Sequence, residues 1–305
     1  MDGARLDGDG VGGIPSGVTM TKGALFVVMA FAASCRGEPN AVLIDLGEAR
    51  LLAADLRVQF NKASDASDRA VLADTDEASI AFAKDAARFG GLEKADLQAL
   101  GPRLHSLGYA AELGSLRAFE DHLAEYEKVD GDILELAVEN TNLKAQRLSF
   151  GPTRAAADAF RDALDSVARS AAAKDRCRVE ALVGKAVVAV REIQVLQAPH
   201  IAESDDAAMT RLEHEMAALA VTARDGVEAL SAILGPGAPQ IAAATAALDR
   251  FDGVSREIVK LSRRNSNVRS LELSLRRKPA LTAKCDEDLR ALQDALAKEA
   301  FTATR

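Results

Sequence analysis

Two short polar clusters carry the side chains best suited to holding a ligand. One is the acidic-hydroxyl run Asp74-Thr75-Asp76-Glu77 and the other is the amide-hydroxyl triplet Asn140-Thr141-Asn142. Both return in the second half of the chain, as Glu203-Ser204-Asp205-Asp206 and Asn265-Ser266-Asn267. Carboxylates supply acceptors, amides supply donors and acceptors, and such groups survive burial only when paired. If each acidic run approaches its triplet across a helical hairpin, the two make a polar pocket for an amine-bearing or polyhydroxylated small molecule. The competing reading is architectural. On a heptad reading Ile133, Leu136, Asn140 and Leu143 share one stripe, as do Ile258, Leu261, Asn265 and Val268, and a buried Asn at such a position fixes register and helix partners at some cost in stability. Asn142 and Asn267 then face the other way, roughly 200° round the helix. The residue before the triplet is Glu139 in one copy and Arg264 in the other, which favours a shared polar layer over a shared ligand.

The remaining chemistry is sparse. His105, His122, His200 and His214 lack any metal-ligand spacing and read as surface residues or helix-end cations. No nucleophile elbow, phosphate loop or dinucleotide turn occurs, so neither catalysis nor a cofactor is expected. Arg263, Arg264, Arg269, Arg276, Arg277 and Lys278 lie near a helix C-terminus, where cations complement the macrodipole or form an anion-docking surface. The formal charge of −8 and the lack of a basic block argue against nucleic-acid binding. Cys177 and Cys285 either pair or stand as independent thiols.

The elements that must position these residues are helical. The chain is 48% hydrophobic but only 4% aromatic, with no Trp, so its core is built from Ala, Leu, Val and Ile at close helix contacts. Apolar residues recur at three- and four-residue steps from Asn40 to Phe89, where Gly90-Gly91 reads as a stop. A short helix follows from Glu93 to Ser106, then a long one from Tyr109 to Phe150, ended by Gly151-Pro152. From Thr153 the pattern runs to Leu196, is interrupted at Pro199, and resumes to a loop at Gly235–Pro239. Ile241 to Arg276 makes the last long helix, and a final one follows Pro279. The repeated clusters, with matching apolar residues such as Leu116 and Ile241 or Leu164 and Leu289, mark a duplicated unit. The expected fold is all-α: an elongated up-and-down bundle of two related helical hairpins, residues 41–164 and 165–305.

The start of the chain carries an address. Residues 1–19 read as disordered or as an over-extended start, and 20–34 as a signal peptide, with Lys22 before the apolar run Ala24 to Ala33. Ala32-Ala33-Ser34-Cys35 resembles a bacterial lipobox, which implies lipidation of Cys35, a tether over 35–40 and an anchor in the cell envelope, the periplasmic face of the outer membrane being favoured. No later segment reaches the roughly 20 apolar residues that a membrane-spanning helix needs.

Asp74 to Glu77 on the first helix, followed by Leu136 to Ala145 on a later one, is similar to the four-helix-bundle sensor domain of bacterial methyl-accepting chemotaxis receptors. The resemblance covers most of Ala41 to Leu164 and implies an extracytoplasmic, non-enzymatic domain that perceives small molecules or protein partners. The chain departs from a full receptor in lacking a second span, a HAMP-like linker and a signalling coiled coil. The expected function is therefore a sensor-like or binding lipoprotein, with a structural or adaptor lipoprotein as the alternative. A small molecule, an envelope protein or a second copy are the partners that fit.

Overall fold

The computed structural model describes residues 38–235 and 237–299, and Met1 to Gly37, which include the glycine-rich start, the segment expected to be a signal peptide and Cys35, lie outside them. The described residues are all-α. From Val42 onward the chain forms one compact unit. Its helices are α1 (Glu38–Leu72), α2 (Asp76–Leu107), α3 (Ala110–Glu139), α4 (Thr141–Leu148), α5 (Arg154–Ser170), α6 (Arg176–Ala202), α7 (Asp206–Leu234), α8 (Pro239–Arg264), α9 (Ser266–Arg276) and α10 (Lys278–Lys298). A π-helical turn, Ser149–Thr153, joins α4 to α5.

Several helix boundaries differ from the sequence expectation, each for a local reason. The first long helix ends at Leu72 rather than at Gly90-Gly91, because Thr75 starts a new helix by accepting a hydrogen bond from the Ala78 amide at 3.1 Å. Asp205 does the same for α7 through Ala208 N at 2.7 Å. Two interior glycines cost about 1 kcal/mol each, and α2 offsets this by burying Ala86, Leu100 and Leu104 on either side of them. Pro102 and Pro199 are carried inside α2 and α6. Gly151-Pro152 widens the helix into the π-turn instead of ending it, so α5 runs on past residue 164, where the first repeat was expected to close.

The helices pack as an up-and-down arrangement of two four-helix bundles. α3-α4-α5 and α8-α9-α10 lie antiparallel, His122 beside Asp288 at 2.6 Å and Thr141 beside Ser266 at 3.1 Å. Hairpin α1–α2 covers one half of this pair, and its core is Leu46, Ala53, Leu56, Phe60, Leu100, Leu104, Leu116, Phe119, Leu123 and Tyr126 with Cys285, Leu289, Leu292 and Leu296 of α10. Hairpin α6–α7 covers the other half, and its core joins Phe160, Leu164 and Val167 of α5 to residues of α6, α7 and α8. Each bundle therefore takes three helices from one repeat and its fourth from the other.

The aromatic-poor composition brings helices close together. At Gly226 of α7 a β-carbon would stand 3.0 Å from the Ala186 β-carbon of α6. Gly226→Leu is expected to lower stability by roughly 1–3 kcal/mol, read from chemical denaturation, because the four added carbons must push α6 and α7 apart.

Candidate functional site

The two Asn triplets do not line separate pockets. They meet each other. Asn140 and Asn265 adopt left-handed backbone angles, φ 50° and 53°, and are the only non-glycine residues among those described to do so. Asn tolerates this conformation better than most residues. A left-handed residue between two helices frees the first amides of the next helix, and a buried amide must find a partner.

The partners come from the other repeat. Thr141 N donates to Ser266 Oγ at 3.0 Å and Ser266 N donates to Thr141 Oγ1 at 3.0 Å. Asn142 N donates to Asn267 Oδ1 at 3.1 Å, and Asn267 N to Asn142 Oδ1 at 3.2 Å. Asn142 Nδ2 reaches Asn265 Oδ1 at 2.7 Å, while Asn267 Nδ2 reaches Asn140 Oδ1 at 2.9 Å. Each triplet thus caps the helix of its copy. The heptad expectation, with Asn140 and Asn142 on opposite helix faces, gives way because the helix breaks between them, and both join one network. On the surface of the joint Arg264 donates to Glu139 at 2.7 and 2.5 Å, which holds the Glu139 carboxyl below its usual range. The charge difference at equivalent positions is an ion pair.

The acidic runs have other duties. Thr75 and Asp205 are the helix caps already described, Asp76 pairs with Arg147 at 3.0 Å, and Asp74 and Glu77 are exposed. Glu203 lends its backbone to the joint by accepting from Asn265 Nδ2 at 2.8 Å, and its side chain accepts from the amides of Ser204 and Asp205. Ile201 O accepts from Asn142 Nδ2 at 2.6 Å. The α6–α7 corner is therefore docked on the joint by two bonds. The α1–α2 corner is held instead by Ser79 Oγ, whose single proton is shared between Ala70 O and Ala137 O, each 3.0 Å away, and Asn140 Nδ2 is left buried without a partner.

The residues that sequence reasoning missed lie beside the docked corner. His200 is fully buried rather than on the surface, and its ring bonds Glu213 at 2.8 Å on one side and Ser262 on the other. Glu213 also accepts from Arg263 Nε at 2.6 Å, and Arg263, with His200 adding to it, holds that carboxyl below its usual range against the effect of burial. The only signal in the sequence was the apolar face of α6 on which His200 falls. Of the basic run, Arg263, Arg264 and Lys278 are committed to internal ion pairs. Cys177 is exposed and Cys285 is buried, and both are free thiols.

Glu213 also borders a cleft of about 340 Å³ in the second bundle. Ile193, Met216, Phe251 and Val259 supply its apolar wall, and Asp252, Ser255 and Arg256 its polar edge. Burial raises the Asp252 carboxyl, although Arg224 pairs with it. Ser255 accepts from Gln197, which in turn accepts from Ser149 of the π-turn at 2.7 Å. Glu213 bonds Arg263 and His200, and Arg263 stands on the last turn of α8, two residues before Asn265 of the joint.

No family model matches the chain, and no curated protein matches it. Among solved structures the chain is similar to the TorS sensor domain in its complex with TorT in the presence of TMAO, at 13% identity over 84% of this chain and 99% of that one, with a TM-score of 0.30. A likeness that weak has no bearing on what this chain binds.

Asn142→Leu removes one amide that bonds Asn265, Asn267 and Ile201 together, and is expected to cost roughly 2–5 kcal/mol in chemical denaturation because it strands buried polar groups of all three. The exchange Glu139→Arg with Arg264→Glu should restore most of what either single change removes, an amount of at most about 1 kcal/mol for so exposed a pair.

Proposed function

We propose that this chain is a non-enzymatic, sensor-like binding module of the bacterial envelope, held to a membrane through lipid on Cys35. The observation that carries the reading is the position of Glu213, which borders the cleft of the second bundle and pairs with Arg263 two residues from the joint between bundles. A ligand in the cleft that draws on Glu213 competes with Arg263 and His200 for the same carboxylate. Arg263 sits on the last turn of α8, two residues before Asn265, so a change in its partner bears on the element that sets how the two bundles meet. An equilibrium between two arrangements of the joint, biased by the cleft, is what a sensor needs.

The cleft favours a small molecule with an apolar body and an amine: Phe251 and Met216 take the body, and Asp252 and Glu213 supply acceptors. In this reading Asp76, through Arg147, and the two Asn triplets serve transmission between bundles rather than contact with the ligand, Thr75 caps α2, and Asp74 and Glu77 face solvent. Thermal-shift screening with small apolar amines tests it. A ligand at a hundred times its Kd stabilises by roughly 2.7 kcal/mol. Met216→Trp, which fills the cleft, should abolish the shift, and Asn142→Ala should leave binding in place while removing any ligand-induced change in hydrogen exchange of the first bundle. A shift that survives Met216→Trp places the ligand elsewhere.

A second reading, an adaptor that binds a protein partner or a second copy, is favoured by one observation. Ile44, Leu51 and Val58 make an exposed apolar stripe at heptad spacing on α1, and Val188 and Val195 make another on α6. Leu51→Lys with Val58→Lys should convert any oligomer seen in sedimentation to monomer; a chain that is monomeric before the change removes the second copy as occupant.

A further inference from the structure

Because the two bundles are copies, a core layer of one can be set against the same layer of the other. In the second bundle one layer consists of Phe160, Val190, Ala223 and Phe251, each at most 1% exposed. The equivalent positions in the first bundle are Cys285, Phe60, Glu93 and Tyr126. Their correspondence follows from the packing, since Ala53, Leu56, Phe60 and Ser67 recur as Val183, Ala186, Val190 and Gln197 along the first helix of each hairpin, and the caps Thr75 and Asp205 fix the second. Where the second bundle has hydrocarbon, the first has a carboxyl, a phenol and a thiol.

Glu93 is the anomaly among them. It is 2% exposed, and its Oε1 is buried with no hydrogen-bond partner. An unpaired buried carboxylate is among the costliest groups a core can hold. The charges around it do not neutralise it. Glu127 and Asp130 face it from α3, Lys94 and Asp96 lie on its own helix, and the Cys285 thiol faces it from α10. From α1, Asp55 faces Asp96 and Asp68 faces the Tyr126 phenol. The cations of this region are directed elsewhere: Lys94 pairs with Glu127 at 3.1 Å, Lys62 lies over the Phe89 ring, and the buried Lys278 ammonium is held by Asp130 at 3.0 Å, Asp68 at 2.9 Å and the carbonyl of Ser64 at 3.1 Å.

We propose that Glu93 is a proton-binding site in the core of the first bundle, so that the bundle is closed while the carboxyl is neutral and opens around α2 when the proton leaves. This is an input separate from the cleft of the second bundle. Burial, with Glu127, Asp130 and Asp96 acting in the same direction against Lys94, pushes the carboxyl up to about 8. A group whose folded value is raised favours the folded state below its ordinary value and loses that contribution as pH climbs through the folded value. The window is therefore from about 4.5 to about 8, and a change from weakly acidic to weakly alkaline medium falls within it.

The test is hydrogen exchange of α2 amides in the full chain between pH 6 and 8.5, corrected for the intrinsic pH dependence of exchange. Protection of α2 should fall by up to about tenfold per pH unit while α7, which has Ala223 at this place, stays level. Glu93→Ala copies the second bundle and Glu93→Gln keeps the volume; both should flatten the dependence. Carbon-13 titration of the Glu93 carboxyl in the unmodified chain reads the same site directly. A midpoint near 8 supports the proposal, and a midpoint below about 5.5, or an unchanged pH dependence in Glu93→Ala, overturns it.

Discussion

The structure depends on one constraint: two left-handed asparagines free the amides of two helix starts in the middle of the protein, and each start is capped by the other repeat. Neither triplet can be satisfied alone. Thr141 and Asn142 need Ser266 and Asn267, and the dependence runs equally in reverse. This explains why the motif is retained in both copies while its flanking residue is not: the amides require the same side chains on both sides, whereas an ion pair requires opposite ones, and Glu139 and Arg264 supply them. The long helix pair, the sharing of a fourth helix between bundles and the docking of the α6–α7 corner all follow from where that joint sits.

Around this near-symmetry the two halves have diverged in what they bury. Close to the joint the first bundle holds a charged set, Lys278 with Asp130 and Asp68, and Ser67 donates to Asp130 at 2.5 Å. The second bundle holds the neutral counterparts Thr153, Ser255 and Gln197, with Ser149 donating to Gln197 at 2.7 Å. Farther out, the first bundle places Glu93 where the second has Ala223, and the second opens a cleft beside Phe251 and Met216. The duplicated scaffold thus differs between its halves in a buried carboxyl on one side and an open cleft on the other, with the joint between them.

Much of the fold was legible in the residues. Three- and four-residue apolar spacing is a local property of a helix, so the all-α class and the duplication were readable, but not the number of helices: the run expected from Thr153 to Leu196 is broken between Ser170 and Arg176. Helix ends were less so. Gly90-Gly91 and Gly151-Pro152 look like breaks in isolation, yet burial on both sides carries the helix through, while the true break at Asn140 has neither glycine nor proline to announce it.

The site was less legible still, because its chemistry is decided by partners far apart in sequence. The sequence by itself determined that the chain is helical and doubled, and that its polar residues concentrate in matched acidic and amide runs. Tertiary structure alone decided that the amide runs face each other, that His200 and Glu93 are inside, and that Glu213 stands between a cleft and the joint. The physical reason is that helix formation is fixed by neighbours within one or two turns, whereas the burial and pairing of a polar group depend on which other helix is laid against it.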